Sequence, residues 1–160
     1  MKNLYTSVAQ QLREHDIVFI DLDVGQFEVL ENYTPIDLPA VFVSFNTTWT
    51  TKAKGVQYGD VELTLLVVSE MILDTHEGSP EQEHALKHFD IMQKVYEALQ
   101  DFNADCLLKS LERRSSEALI LTGYLAATRL TFHAVYSDRS ILEDVEQSKV
   151  PQELVLKKEV

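Results

Sequence analysis

Cysteine, glycine, proline and positive charge are all scarce in this chain: one Cys, five Gly, four Pro and 14 Lys plus Arg in 160 residues. A lone Cys106 makes no intrachain disulfide, and in the run Asp105-Cys106-Leu107-Leu108 it reads as a buried structural thiol in a reducing compartment. The glycines never gather into a loop that cradles phosphate. Nowhere do about 18 apolar residues run together, so no membrane-spanning helix is expected. Met1-Lys2-Asn3-Leu4 leads straight into polar helical sequence, so no secretory signal is expected either and the protein should be soluble and cytoplasmic. Against the 14 cations stand 26 Asp plus Glu, a formal net charge of -12 at pH 7. Gripping nucleic acid needs Lys and Arg that displace counterions, so direct DNA or RNA binding is disfavoured. Acids concentrate from Glu14 to Asp37 and from Asp60 to Glu83, with no Lys or Arg between Lys54 and Lys87. The plain reading is a solvated surface; the sharper one is a wall past which a polyanion slides, repelled over the screening length of about 8 Å.

Catalytic signatures are missing too. His84 and His88 stand four apart, a spacing that lets two imidazoles share a metal, but Ala85 occupies the place where a zinc-protease helix carries its glutamate. Two histidines on a polar helix flank are the simpler reading. Asp21 and Asp23 share one side of a strand near Asp16, without the glycine-punctuated loop of a calcium site. Ser115, Ser116 and His133 form no nucleophile elbow. No enzyme, cofactor or metal is expected.

What is present is a clear order of elements. Leu4, Val8 and Leu12 recur every four residues, making one apolar face on a helix from about Lys2 to His15. Ile17-Val18-Phe19-Ile20 reads as a strand; Phe27 to Leu30 extends it or forms a second, and Tyr33-Thr34-Pro35 and Leu38-Pro39 mark a loop. From Ala40, residues Val41, Val43, Phe45, Thr47, Trp49 and Thr51 share one parity, a long strand that turns at Ala53-Lys54-Gly55. It returns through Val56 and Tyr58, and a bulge at Gly59 is expected to switch the parity so that Val61, Leu63, Leu65 and Val67 point inward. Leu66 and Val68 make the base of this strand apolar on both faces, which predicts a central position. The Thr-rich tip should project.

Ser79-Pro80-Glu81-Gln82 predicts a capping box opening a second helix, with Ala85, Leu86, Phe89, Met92, Tyr96 and Leu99 on its buried face. In Asp105 to Ser116, Leu107, Leu108 and Leu111 fit a continued helix while Lys109 to Arg114 fits a strand edge, and the segment is taken as a strand entering a late hairpin. Its return is Tyr124 to Tyr136, with Tyr124, Ala126, Leu130, Phe132, Ala134 and Tyr136 on one face and Arg129, Thr131 and His133 on the other. The fold class is α+β: a single domain over 1–136, a mixed or antiparallel sheet with a long projecting hairpin, and two main helices packed on it. Residues 137–160 form a charged tail, disordered or laid as an arm on a neighbouring subunit.

In its amphipathic opening, the strand Pro39-Ala40-Val41-Phe42-Val43, the hairpin with Gly55 and Gly59, the strand Asp60-Val61-Glu62-Leu63-Thr64-Leu65, the helix from Pro80 to Asp101 and the strand Arg129-Leu130-Thr131-Phe132, the chain resembles the tail terminator, or tail-completion, proteins of long-tailed bacteriophages and prophages. The resemblance covers residues 1 to 136 and is one of layout. It implies a structural, non-enzymatic homo-oligomer, a hexameric ring that caps the tail tube and joins it to the head connector, with DNA passing through unbound. It also implies assembly in the bacterial cytoplasm and residence in the virion. The alternative is a bacterial interaction module that binds another protein. In either case the expected contact residues are Trp49, Thr50, Lys52 and Lys54 at the hairpin tip, Arg113 and Arg114, and Ile141 and Leu142 in the tail; aromatic anchors such as Trp are enriched at interface cores.

Overall fold

The structure, a computed structural model, describes residues 1–26, 36–70, 75–120 and 125–140. Its elements are α1 (Lys2–Glu14), β1 (Phe19–Leu22), β2 (Ala40–Ala53), β3 (Val56–Glu70), α2 (Gln82–Leu99), β4 (Leu107–Ile120) and β5 (Leu125–Asp138). The five strands form one mixed sheet in the order β1-β2-β3-β5-β4. β1 runs parallel to β2 and every other neighbouring pair is antiparallel. The class is α+β.

Both helices lie on one face of the sheet. α1 buries Leu4, Val8 and Leu12 completely, as their spacing requires. They pack with Val41, Val43, Val61, Leu63, Leu65, Val67, Leu130 and Phe132 from the sheet and with Val95 and Leu99 from α2. The chain leaves α1 through Asp16 in a left-handed conformation (φ 64°), and the Lys94 ammonium of α2 reaches its carboxylate at 3.3 Å, tying the two helices together at the surface. The other face carries a smaller apolar cluster of Ala40, Phe42, Leu66, Val68 and Ala127, with Phe19, Ile36 and Leu38 against it. β3 is therefore central and apolar on both faces at its base, as its run of four aliphatic residues predicts. β2 continues from Ser44 to Ala53 past the end of β1, so the hairpin projects on that side, while β5 accompanies β3 as far as Gln57 opposite Asp138.

Three expectations are corrected. No bulge occurs at Gly59: it sits in unbroken register between Trp49 and Tyr136, and the irregularity of the hairpin lies between Thr51 and Ala53. Thr47, Gly59 and Val61 share the helix-side face throughout, and Tyr58 simply points the other way. The capping box is displaced. α2 begins at Gln82, the Ser79 hydroxyl accepts from the Glu81 N–H (3.1 Å), and the Gln82 side chain accepts from the Gly78 N–H (3.2 Å), so reciprocal bonds close the turn before the helix rather than its first turn. Finally, α2 faces the sheet with His88, Ile91, Val95, Ala98 and Leu99, whereas Leu86 and Phe89 stay exposed. Its apolar arc is wider than the sheet can cover, and the flank that the sequence marks as buried is partly the uncovered one. Phe27 to Leu30, Tyr33 to Pro35, Tyr124 and the tail from Ile141 lie outside the described residues.

Candidate assembly surfaces

At the hairpin tip, one glycine decides how the single tryptophan sits. A Cβ on Gly59 would lie 2.8 Å from Thr47 Cγ2 and 3.0 Å from Trp49 Cζ3. The bare backbone lets the Trp49 indole lie across β3 and meet the Tyr136 ring of β5 edge-on, with centroids 5.9 Å apart and an interplanar angle of 89°. The Met1 amino group donates to the Tyr136 hydroxyl at 3.2 Å, so the start of α1 braces the same spot. Burial raises the Tyr136 pKa, with the neighbouring Cys106 and Asp138 adding to the shift. Trp49 is nonetheless 40% exposed, one edge packed and the other turned to solvent. Thr50 and Lys52 are exposed beyond it, the Lys52 ammonium 5.8 Å from the Tyr58 ring centroid, and Lys54 occupies the turn.

Arg113 and Arg114 lie on β4 but do different things. Arg113 stacks its guanidinium 3.9 Å above the Tyr96 ring of α2, and its backbone N–H donates to Gln100 Oε1 at 3.1 Å. Arg114 and Lys109 converge on Glu112 at 3.2 and 3.0 Å, and the Lys109 hydrogen bond, followed by the Arg114 charge, lowers the Glu112 pKa. Register irregularities between Leu107 and Ser115 break up this part of the strand, whereas Ser115 to Ile120 pairs regularly with β5. Ile141 and Leu142 belong to the undescribed tail.

The histidines separate. His84 is exposed beside Glu81 (3.8 Å), while His88 is held between two hydroxyls, Ser69 at 2.8 Å from Nδ1 and Thr128 at 2.9 Å from Nε2. Burial lowers the His88 pKa. Ser69 and Thr128 are themselves buried, so the histidine fastens α2 across β3 and β5. The chemistry of this link leaves no trace in the apolar pattern, and the histidine spacing alone suggested a different use. A cavity of about 220 Å³ beside it, between Leu38 and Ile91, carries Glu70 and Lys87 of opposite sign at its rim. Among the described residues no three metal-ligating side chains come together. Asp21 and Asp23 accept from nearby backbone N–H groups, of Leu22 at 2.8 Å and of Gly25 at 3.0 Å. Burial raises the pKa of the Cys106 thiol, away from reactivity at neutral pH. On the face without helices, His133 Nε2 meets Asp60 Oδ1 and Arg129 pairs with Glu117 at 3.0 Å.

Periodicity gives no warning of a second group of exposed apolar side chains: Val18, Leu22 and Val24, 83%, 44% and 79% exposed, at the β1 edge. Leu22 ends β1 and Val18 and Val24 lie just outside it, and only the sheet order shows that this strand is terminal.

A sheet of this order with both helices on one face is the class of fold the chain defines. No protein-family model matches the chain, and no curated protein matches it. Among solved structures, the chain is similar to a chain of the virion of the native gene transfer agent (GTA) particle, with a TM-score of 0.55 at 14% identity. The likeness takes in 85% of this chain and 96% of that one, and it is a likeness of fold.

Proposed function

We propose that this chain is a structural protein of a phage-like particle, a tail terminator that closes on itself as a ring, caps the tail tube and meets the head connector. The observation that carries the reading is the fold shared with a chain of the GTA virion over 96% of that chain. A layout read independently from the sequence points to the same kind of particle.

The chemistry of the subunit suits the role. A net charge of -12 gives a ring whose channel lets DNA pass without holding it, since a basic wall would trap a polyanion. The hairpin tip with Trp49 is a contact for a neighbouring ring or tube. The chain works by shape and contact, without catalytic residues.

Size exclusion coupled to light scattering over a concentration and magnesium series, with negative-stain images of the largest species, tests this. A closed six-fold ring with an open channel supports the reading. A stable two-fold dimer that never forms a ring favours an interaction module instead.

A further inference from the structure

Most of the large apolar side chains that the described fold leaves exposed fall at its two opposite edges. Val18, Leu22 and Val24 flank β1, one end of the sheet order. Leu108 lies on β4, the other end, and Phe89 and Leu86 lie on α2. In helical projection Phe89 stands on the same flank of α2 as Tyr96, the side that Arg113 of β4 covers. On the helix side of β4, Ser116 and Ala118, opposite Leu130 and Thr128, are exposed small residues below that flank. The outer edge of β4 there is a run of small exposed residues with the exposed Phe89 of α2 on its helix side.

The register sets the two edges at one height. Ile20 is carried across the sheet through Val41, Val67 and Thr128 to Ala118, and Leu22 through Val43, Leu65 and Leu130 to Ser116. The short strand β1 is therefore level with the regular part of β4 and not with its irregular part, the part whose broken register discourages strand pairing. Just beyond, Asp23 donates its backbone N–H to Val43 and lies level with Ser115 and Arg114. The charges are opposite where Asp23 comes level with Arg114; one step back, Asp21 comes level with Glu117, whose carboxylate is already paired with Arg129 at 3.0 Å.

We propose that the β1 edge of one copy, Phe19 to Val24, seats on the β4 edge of a second copy along Arg114 to Leu119, with Leu22 beside Phe89 and Asp23 facing Arg114. The proposal rests on the ring reading and names its interface. Pairing β1 on β1 is the poorer arrangement, because it brings the acids Asp21 and Asp23 of both copies together with no cation on that strand. Two different patches on opposite edges make a heterologous contact, the kind that propagates head to tail and closes into a ring.

Cysteine trapping tests the contact directly. In the full chain with Cys106→Ser, Leu22→Cys and Ser116→Cys are made singly and together, and oxidised at high protein concentration. The expected result is a covalent dimer only when the two single variants are mixed, a ladder of oligomers from the double variant, and loss of both when Phe89→Asp is added. Rapid dimerisation of either single variant alone, or no cross-link in the mixture, overturns the proposal. A ladder that closes at a number other than six, or never closes, keeps this contact while the hexameric tail-terminator reading fails.

Discussion

Replacing Gly59 by alanine isolates the packing that places Trp49. The added Cβ would lie 2.8 Å from Thr47 Cγ2, closer than carbon atoms tolerate, and 3.0 Å from Trp49 Cζ3, a contact so tight that the threonine methyl and the indole must both give way. Lifting the indole breaks the edge-on contact with Tyr136, a pair worth about 0.5–1.5 kcal/mol beyond its buried area. Forcing a methyl into a filled site costs about 1–3 kcal/mol. The stiffer backbone of alanine returns about 0.5–1 kcal/mol. The balance is a destabilisation of about 2 kcal/mol, within a range of about 0.5–4, or a fall in Tm of about 4–8 °C for a domain of this size. Denaturant unfolding followed by the fluorescence of the single Trp reads both effects, because the indole should become more solvent-exposed before any unfolding. A Gly59→Ala variant as stable as wild type, with unchanged emission, would refute the packing account and return Gly59 to the status of an ordinary strand residue.

Phe132→Ala empties the middle of the helix-side core, where the side chain is fully buried, and should cost about 3–5 kcal/mol by denaturant titration; a cost below 1 kcal/mol would show that the core does not centre on this strand. His88 has its pKa lowered in the fold from an ordinary 6.5, so the unfolded chain takes up the proton more readily. Its contribution to stability is whole above pH 6.5 and is lost as the pH falls through the lower folded value; His88→Gln should flatten that part of the stability profile, and an unchanged profile would contradict the buried neutral imidazole.

Much of the fold was legible because the pattern and the packing agree. Leu4, Val8 and Leu12 predict α1, and the alternation from Val41 to Thr51 predicts β2. The aliphatic run Leu65 to Val68 predicts the central place of β3, where periodicity of two gives way to burial on both faces. α2 was legible as a helix but not in its orientation, since Leu86 and Phe89 extend the apolar arc past the width of the sheet while the polar His88 turns inward to meet two hydroxyls on other strands. Gly59 was legible as special and misread as a bulge. A glycine that frees backbone geometry and one that makes room for a neighbour's ring are the same letter, and the neighbour becomes apparent only when β2 and β5 lie beside it. The edge pattern of Val18, Leu22 and Val24 depends in the same way on knowing which strand is last in the sheet.

The shape of the assembled species tests the central claim most directly. Negative-stain imaging of the largest species from size exclusion with light scattering should show closed rings with six-fold symmetry and an open channel. A two-fold dimer that stays unchanged across concentration and magnesium would contradict the tail-terminator account.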